Sequence, residues 1–99
     1  MHYLLIYDLA PDYLERRAEF RSPHLKLAWE AQQRGEIVIA GALSDPADHA
    51  ILMFKCDSPD TVRRFAETDP YVTNGLVTAF HVRPWNTVVG EDATNPVRP

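Results

Sequence analysis

Few residues in this chain are equipped to move a proton, and their spacing limits the chemistry they can do. The histidines stand at positions 2, 24, 49 and 81, none paired at the short spacing a metal site uses, and there is one cysteine, Cys56. The four glycines are isolated, so no glycine-rich loop can cradle a phosphate. Neither a metal nor a cofactor is expected. No strand-to-helix nucleophile elbow is visible. Ser22 reads as a capping residue and Cys56 as a strand end without a base beside it, which argues against acyl transfer. General acid–base chemistry is the class left, and His24 is one candidate for it, although a lone histidine at a helix start is often only a polar residue that tolerates the position. It lies in residues 20–35, "FRSPHLKLAWEAQQRG". Ser22 suits an N-cap and Pro23 the first helical position, which puts His24 in the first turn. The positive helix end opposes a charged imidazole there, and a neutral imidazole is the form that accepts a proton.

The elements around His24 must hold it in place. "HYLLIYDL" (His2–Leu9) is a short apolar run that suits a buried strand. Pro11, Asp12 and Glu15, with Arg16 and Arg17 later, outline a short first helix. The spacing then predicts a pause at residues 20–22 and a second helical part, bent against the first. Leu25, Ala28, Trp29 and Gln32 form its stripe, and Gly35 stands at C′. Residues 36–43 and 50–56 read as a strand hairpin across the turn "SDPADH". Ser58 and Pro59 open a further helix with Val62, Phe65 and Ala66 inward, ending near Thr68. Asp69 to Gly75 reads as a loop with at most one helical turn. Residues 76–85 form the last strand, with Leu76, Thr78, Phe80 and Val82 on one face and Val77, Ala79, His81 and Arg83 on the other.

The resulting order, β-α-β-β-α-β, is the ferredoxin-like α+β arrangement: an antiparallel four-stranded sheet with both helices on one face. The chain has 99 residues, enough for one core but with a high surface-to-volume ratio. The uncovered sheet face is apolar, so a homodimer stacking sheet on sheet is expected. Residues 1–86 are read as the domain. Residues 87–99 are read as an irregular tail, either partly mobile or packed as an arm on the partner subunit. A net charge of −4 argues against nucleic acid as a partner. The N-terminus has neither the basic start of a signal peptide nor an apolar run long enough to span a membrane. A cytoplasmic protein with a small-molecule ligand is the expectation.

"RSPHL" at residues 21–25, "IAGAL" at 39–43, "DPY" at 69–71 and "RPW" at 83–85 together resemble the pattern of the YCII-related (YciI-like) proteins. The resemblance implies a dimeric α+β barrel of ferredoxin-like protomers. It also implies a site centred on a histidine and an aspartate, here His24 and Asp69. The wider superfamily isomerises, eliminates from or oxidises small oxygenated compounds, often without a cofactor. Given such a pair, Asp69 accepts a hydrogen bond from one ring nitrogen, fixes the tautomer and stabilises the imidazolium once a proton arrives. Arg21, one turn before His24, suits an anionic oxygen. Tyr71 offers a phenolic hydrogen bond, Tyr7 and Trp29 an aromatic wall, and Gly41 a close approach to the strand backbone.

Each of these residues also has a plainer reading. Asp before Pro commonly opens a turn, bonding its own backbone. Arg21 can pair with Glu19 or a carbonyl. Trp29 and Trp85 suit packing, His81 the sheet surface or dimer interface, His49 a solvated turn, and Arg16 and Arg17 the helix surface. Two functional classes therefore stand. One is a lyase or isomerase using His24 and Asp69; the other is a non-catalytic small-molecule-binding or accessory dimeric module. An RNA-binding reading fails because "HAILMFKC" lacks the basic and aromatic pattern that fold version requires.

Overall fold

The computed structural model describes residues 1–99. It orders them β1 (His2–Leu9), α1 (Tyr13–Gln33), β2 (Ile37–Ala42), β3 (His49–Lys55), α2 (Pro59–Thr68), α3 (Pro70–Thr73) and β4 (Val77–Trp85). Alternation along β1 buries Tyr3, Leu5 and Tyr7 under the helices, and the same period in β3 buries Ala50, Leu52 and Phe54. The antiparallel register sets Tyr3 beside Phe54, Leu5 beside Leu52 and Tyr7 beside Ala50. The sheet order is β2-β3-β1-β4, every pair antiparallel, with the helices on one face: the ferredoxin-like α+β fold. Val62, Phe65 and Ala66 of α2 close the core, and Phe65 meets Phe54 edge to face at 5.4 Å. Each large apolar side chain buried this way stabilises the fold by roughly 1.5–3 kcal/mol.

The two Ser-Pro sequences behave differently. Ser58 caps α2, its side chain accepting the Asp60 N–H at 3.2 Å, with Pro59 at the helix start. Ser22 caps nothing. The expected pause at residues 20–22 is absent, and α1 runs unbroken with Pro23 inside it. His24 is therefore a mid-helix residue, and the positive helix end does not act on it. Pro23 removes one backbone hydrogen bond, at a cost of about 3 kcal/mol, but its fixed φ is already helical. Phe20 and Leu27, on either side of it, both pack against the core and keep the two halves in one rod.

The inward stripe of α1 also differs from expectation. It comprises Tyr13, Arg17, Phe20, His24, Leu27 and Ala31, in alternating steps of four and three residues, with Ala28 of the expected stripe packing beside them. Leu25 and Trp29 stay exposed. Gly35 ends the helix at φ +80°, donating to Gln32 O while Glu36 N–H reaches back to Ala31 O. Glycine adopts that left-handed backbone without steric cost.

Strict alternation fails at the start of β4. Asp8 pairs with Ala79 but Leu9 pairs with Val77, so Thr78 is an extra residue and both Leu76 and Val77 are buried. His49 is the first residue of β3 rather than part of a solvated turn, and its Nδ1 lies 3.2 Å from Asp8 Oδ1. His81 Nε2 lies 3.1 Å from the other oxygen of Asp8. Beyond Trp85 there is no helix or strand, yet the chain folds over His2. Thr87 Oγ1 lies 2.7 Å from His2 Nδ1 and accepts the Thr94 N–H at 2.8 Å. No helix is long and apolar enough to cross a membrane.

Candidate active site

Asp69 is set by a junction of two helices. It follows the last residue of α2 and caps α3, with an extended backbone. Its Oδ1 accepts the Tyr71 N–H at 3.0 Å, the local turn bond that Asp-Pro sequences favour. The same oxygen accepts His24 Nδ1 at 2.8 Å, and Oδ2 accepts the Tyr7 hydroxyl at 2.7 Å. One carboxylate oxygen thus serves both the local turn and the histidine. The residue is 0% exposed, and these three donors offset the cost of burying a carboxylate.

Two helices and the cap residue Asp69 converge on the imidazole. α1 carries it on the inward stripe, and α3 brings the Tyr71 ring flat against it, centroids 3.8 Å apart at 9°. Tyr13 then meets Tyr71 edge-on at 5.7 Å. Asp69 holds Nδ1 as the protonated nitrogen, which leaves Nε2 free to accept a proton. Burial, reinforced by the neighbouring Asp69 carboxylate, pushes the Tyr7 phenol far above its ordinary range, so it remains a donor. Burial also pushes Tyr71 up to about 12, with Tyr13 adding and the Arg21 and Arg17 guanidiniums opposing. Cys56 is no rival nucleophile: burial pushes its thiol up, and its Sγ lies 3.3 Å from Ser58 O.

A cavity of about 460 Å³ opens between α1 and β2, within the size range of small-molecule sites. His24 forms part of its wall, and its side chain is 15% exposed. Tyr7, Arg21, Gly41 and Tyr71 line it as well. A side chain at Gly41 would meet nothing within 4 Å, so this part of the β2 wall is open space. Trp29, 61% exposed, stands on the α1 side of the same cavity.

Two placements depart from the sequence reading. Asp69 does not line the cavity; it lies behind His24, touching the imidazole and not the open space. Its contacts with the cavity wall run through His24, Tyr7 and Tyr71. Arg17, read as helix surface, lines the cavity beside Arg21. The signal for Arg17 was present in the sequence. It stands seven residues before His24, and two full helical turns return a side chain to nearly the same face. The expected break at Ser22 hid that relation.

The family model of the YCII-related domain matches residues 1–86. Among curated proteins, none matches the sequence. Among solved structures, the chain is similar to 5-chloro-2-hydroxyhydroquinone dehydrochlorinase from Burkholderia phenoliruptrix AC1100, in complex with 2,5-dihydroxybenzoquinone. The TM-score is 0.75 at 23% identity, covering 88% of this chain and 95% of that one.

Proposed function

The chain belongs to the YCII-related domain family, and from that premise and the geometry of its cavity we propose a small, cofactor-independent lyase or isomerase. Its substrate is a small oxygenated metabolite, aromatic or lactone in type. The observation that carries this reading is the 2.8 Å contact of His24 Nδ1 with buried Asp69 while the imidazole walls a ligand-sized cavity. His24 is the base and Asp69 the residue that positions it.

The chemistry follows from the free Nε2. It takes a proton from an acidic C–H or phenolic O–H of the substrate, becoming an imidazolium beside the Asp69 carboxylate. The electron pair released forms a new C=C or C=O bond. Either a leaving group departs with its own pair, or Nε2–H returns the proton to another carbon. The first course is an elimination and the second an isomerisation, and neither changes the net oxidation state of protein plus substrate. The similar dehydrochlorinase is named for an elimination from a hydroxylated ring, which supports the first course.

The test is turnover of small hydroxylated quinols and lactones by the wild type and His24→Ala. The expected loss is ~10²–10⁴-fold, the usual scale of general acid–base catalysis. Equal turnover by both proteins would overturn the reading. Saturable binding without turnover by the wild type would favour the non-catalytic binding module.

A further inference from the structure

Arg17 and Arg21 stand one helical turn apart on α1 and both line the cavity that His24 walls. Neither has a carboxylate partner: the arginine ion pairs of the chain are Arg34–Glu36 and Arg63–Asp60. No carboxylate lines the cavity, and Asp69, behind His24, is already bonded to Tyr7, His24 and Tyr71. A chain of net charge −4 thus presents two uncompensated guanidiniums to its ligand space. Arg17 is also braced, its guanidinium carbon lying 5.8 Å from the centre of the Tyr13 ring. A cation held in place without a protein counter-ion, at the wall of a mostly apolar cavity, favours an anionic ligand.

We infer that the site selects a compound that already carries an anionic oxygen, as enolate, phenolate or carboxylate, and that Arg17 together with Arg21 is the selecting element. The inference rests on the cavity being a small-molecule site and adds the charge of the molecule it takes. The two arginines divide the work by distance along the helix. Arg21 stands one turn from His24, about 4.5 Å of helix rise, and neutralises charge near the carbon that loses its proton. Arg17 stands about 10.5 Å of rise away and grips charge at the far end of the ligand. Guanidinium recognises two oxygens at once through its planar fork, which an ammonium cannot reproduce.

The experiment is calorimetric titration with two probes that share a ring: 2,5-dihydroxybenzoquinone, which ionises readily, and 2,5-dimethoxybenzoquinone, which cannot ionise. Wild type, Arg17→Gln, Arg21→Gln and Arg17→Lys are compared, with folding of each checked by circular dichroism. The wild type is expected to prefer the ionising probe, and each glutamine variant to lose about tenfold or more of that affinity, the scale of one hydrogen bond to a charged group. Binding of the dimethoxy probe should stay within about twofold across the set, and Arg17→Lys should recover only part of the loss. Affinity for the ionising probe should fall as salt rises. Equal binding of both probes by every protein would overturn the charge selection and leave the cavity reading intact. Failure of the wild type to bind either probe would overturn both.

Discussion

Tyr7, on an inner strand of the sheet, donates its hydroxyl to Asp69 Oδ2 over 2.7 Å while Asp69 Oδ1 holds His24. The two oxygens of one carboxylate therefore tie β1 to α1 through a residue that belongs to neither. Tyr7→Phe removes one donor and leaves the ring to pack, so the carboxylate loses a partner in a site without solvent. A stability loss of about 1–3 kcal/mol is expected in chemical denaturation. The positioning role has its own readout: the Nδ1–H resonance of His24 should shift or broaden. A resonance identical to the wild type's would show that Tyr7 supports packing alone.

Pro23 makes a second prediction, because its place inside α1 is a local conflict tolerated for tertiary reasons. The side chain is exposed, so Pro23→Ala removes no core contact and restores a backbone donor to the helix. Thermal unfolding should rise by several degrees, corresponding to about 1–3 kcal/mol. A lower melting temperature would mean that the ring, rather than the packing of Phe20 and Leu27, holds the two halves together.

The same position explains what the sequence made legible and what it concealed. Alternation in β1 and β3, the Ser58–Pro59 cap and the Gly35 terminus are local signals, and local physics decides them. Ser22–Pro23 carries the same local signal as Ser58–Pro59, yet Phe20 and Leu27 pack on one core and continue the helix. That choice is made by partners distant in sequence, and with it went the phase of α1, its inward stripe and the position of Arg17. The Tyr7–Asp69 bond is hidden for a similar reason. Its partners lie 62 residues apart, and nothing near either one announces the other.

The sheet face opposite the helices supplies a third prediction. Leu4, Ile6, Ile51 and Met53 are only half-buried there, while Ile39 is 70% and Trp85 42% exposed. A sheet with one face packed on helices and an opposite face whose centre is apolar, with Asp8, His49, His81 and Arg83 around it, calls for a second layer there. A second copy stacked on this face is the expected cover. Sedimentation should give twice the protomer mass at micromolar concentration, and Ile6→Lys should give the protomer alone. Ile6 sits between Ile51 and His81 in the sheet, so the new charge would fall within that patch. A wild type that sediments as a single protomer would remove the dimer.

The tail supplies the last prediction, and its sign follows from His2. Burial holds the His2 imidazole below its ordinary value of 6.5; the N-terminal ammonium and Lys55 push it the same way and Asp92 opposes them. Its neutral ring faces Thr87 Oγ1 at 2.7 Å, and the same hydroxyl oxygen accepts the Thr94 N–H. A group whose folded value is lowered contributes its full stability above the unfolded value, and that contribution is lost as pH falls through the folded one. Protonation of His2 should therefore loosen residues 87–95 below pH 6.5 while the sheet persists. The measurement is hydrogen-exchange protection of the Thr94 amide, corrected for its intrinsic pH dependence. Protection should be steady above pH 6.5 and decline below it, and His2→Gln should abolish the step. Protection that stays flat through the acid range in the wild type would show that the tail is held by its own turns, through Asn95 N–H on Thr87 O and Val97 N–H on Val88 O, rather than by the histidine beneath it.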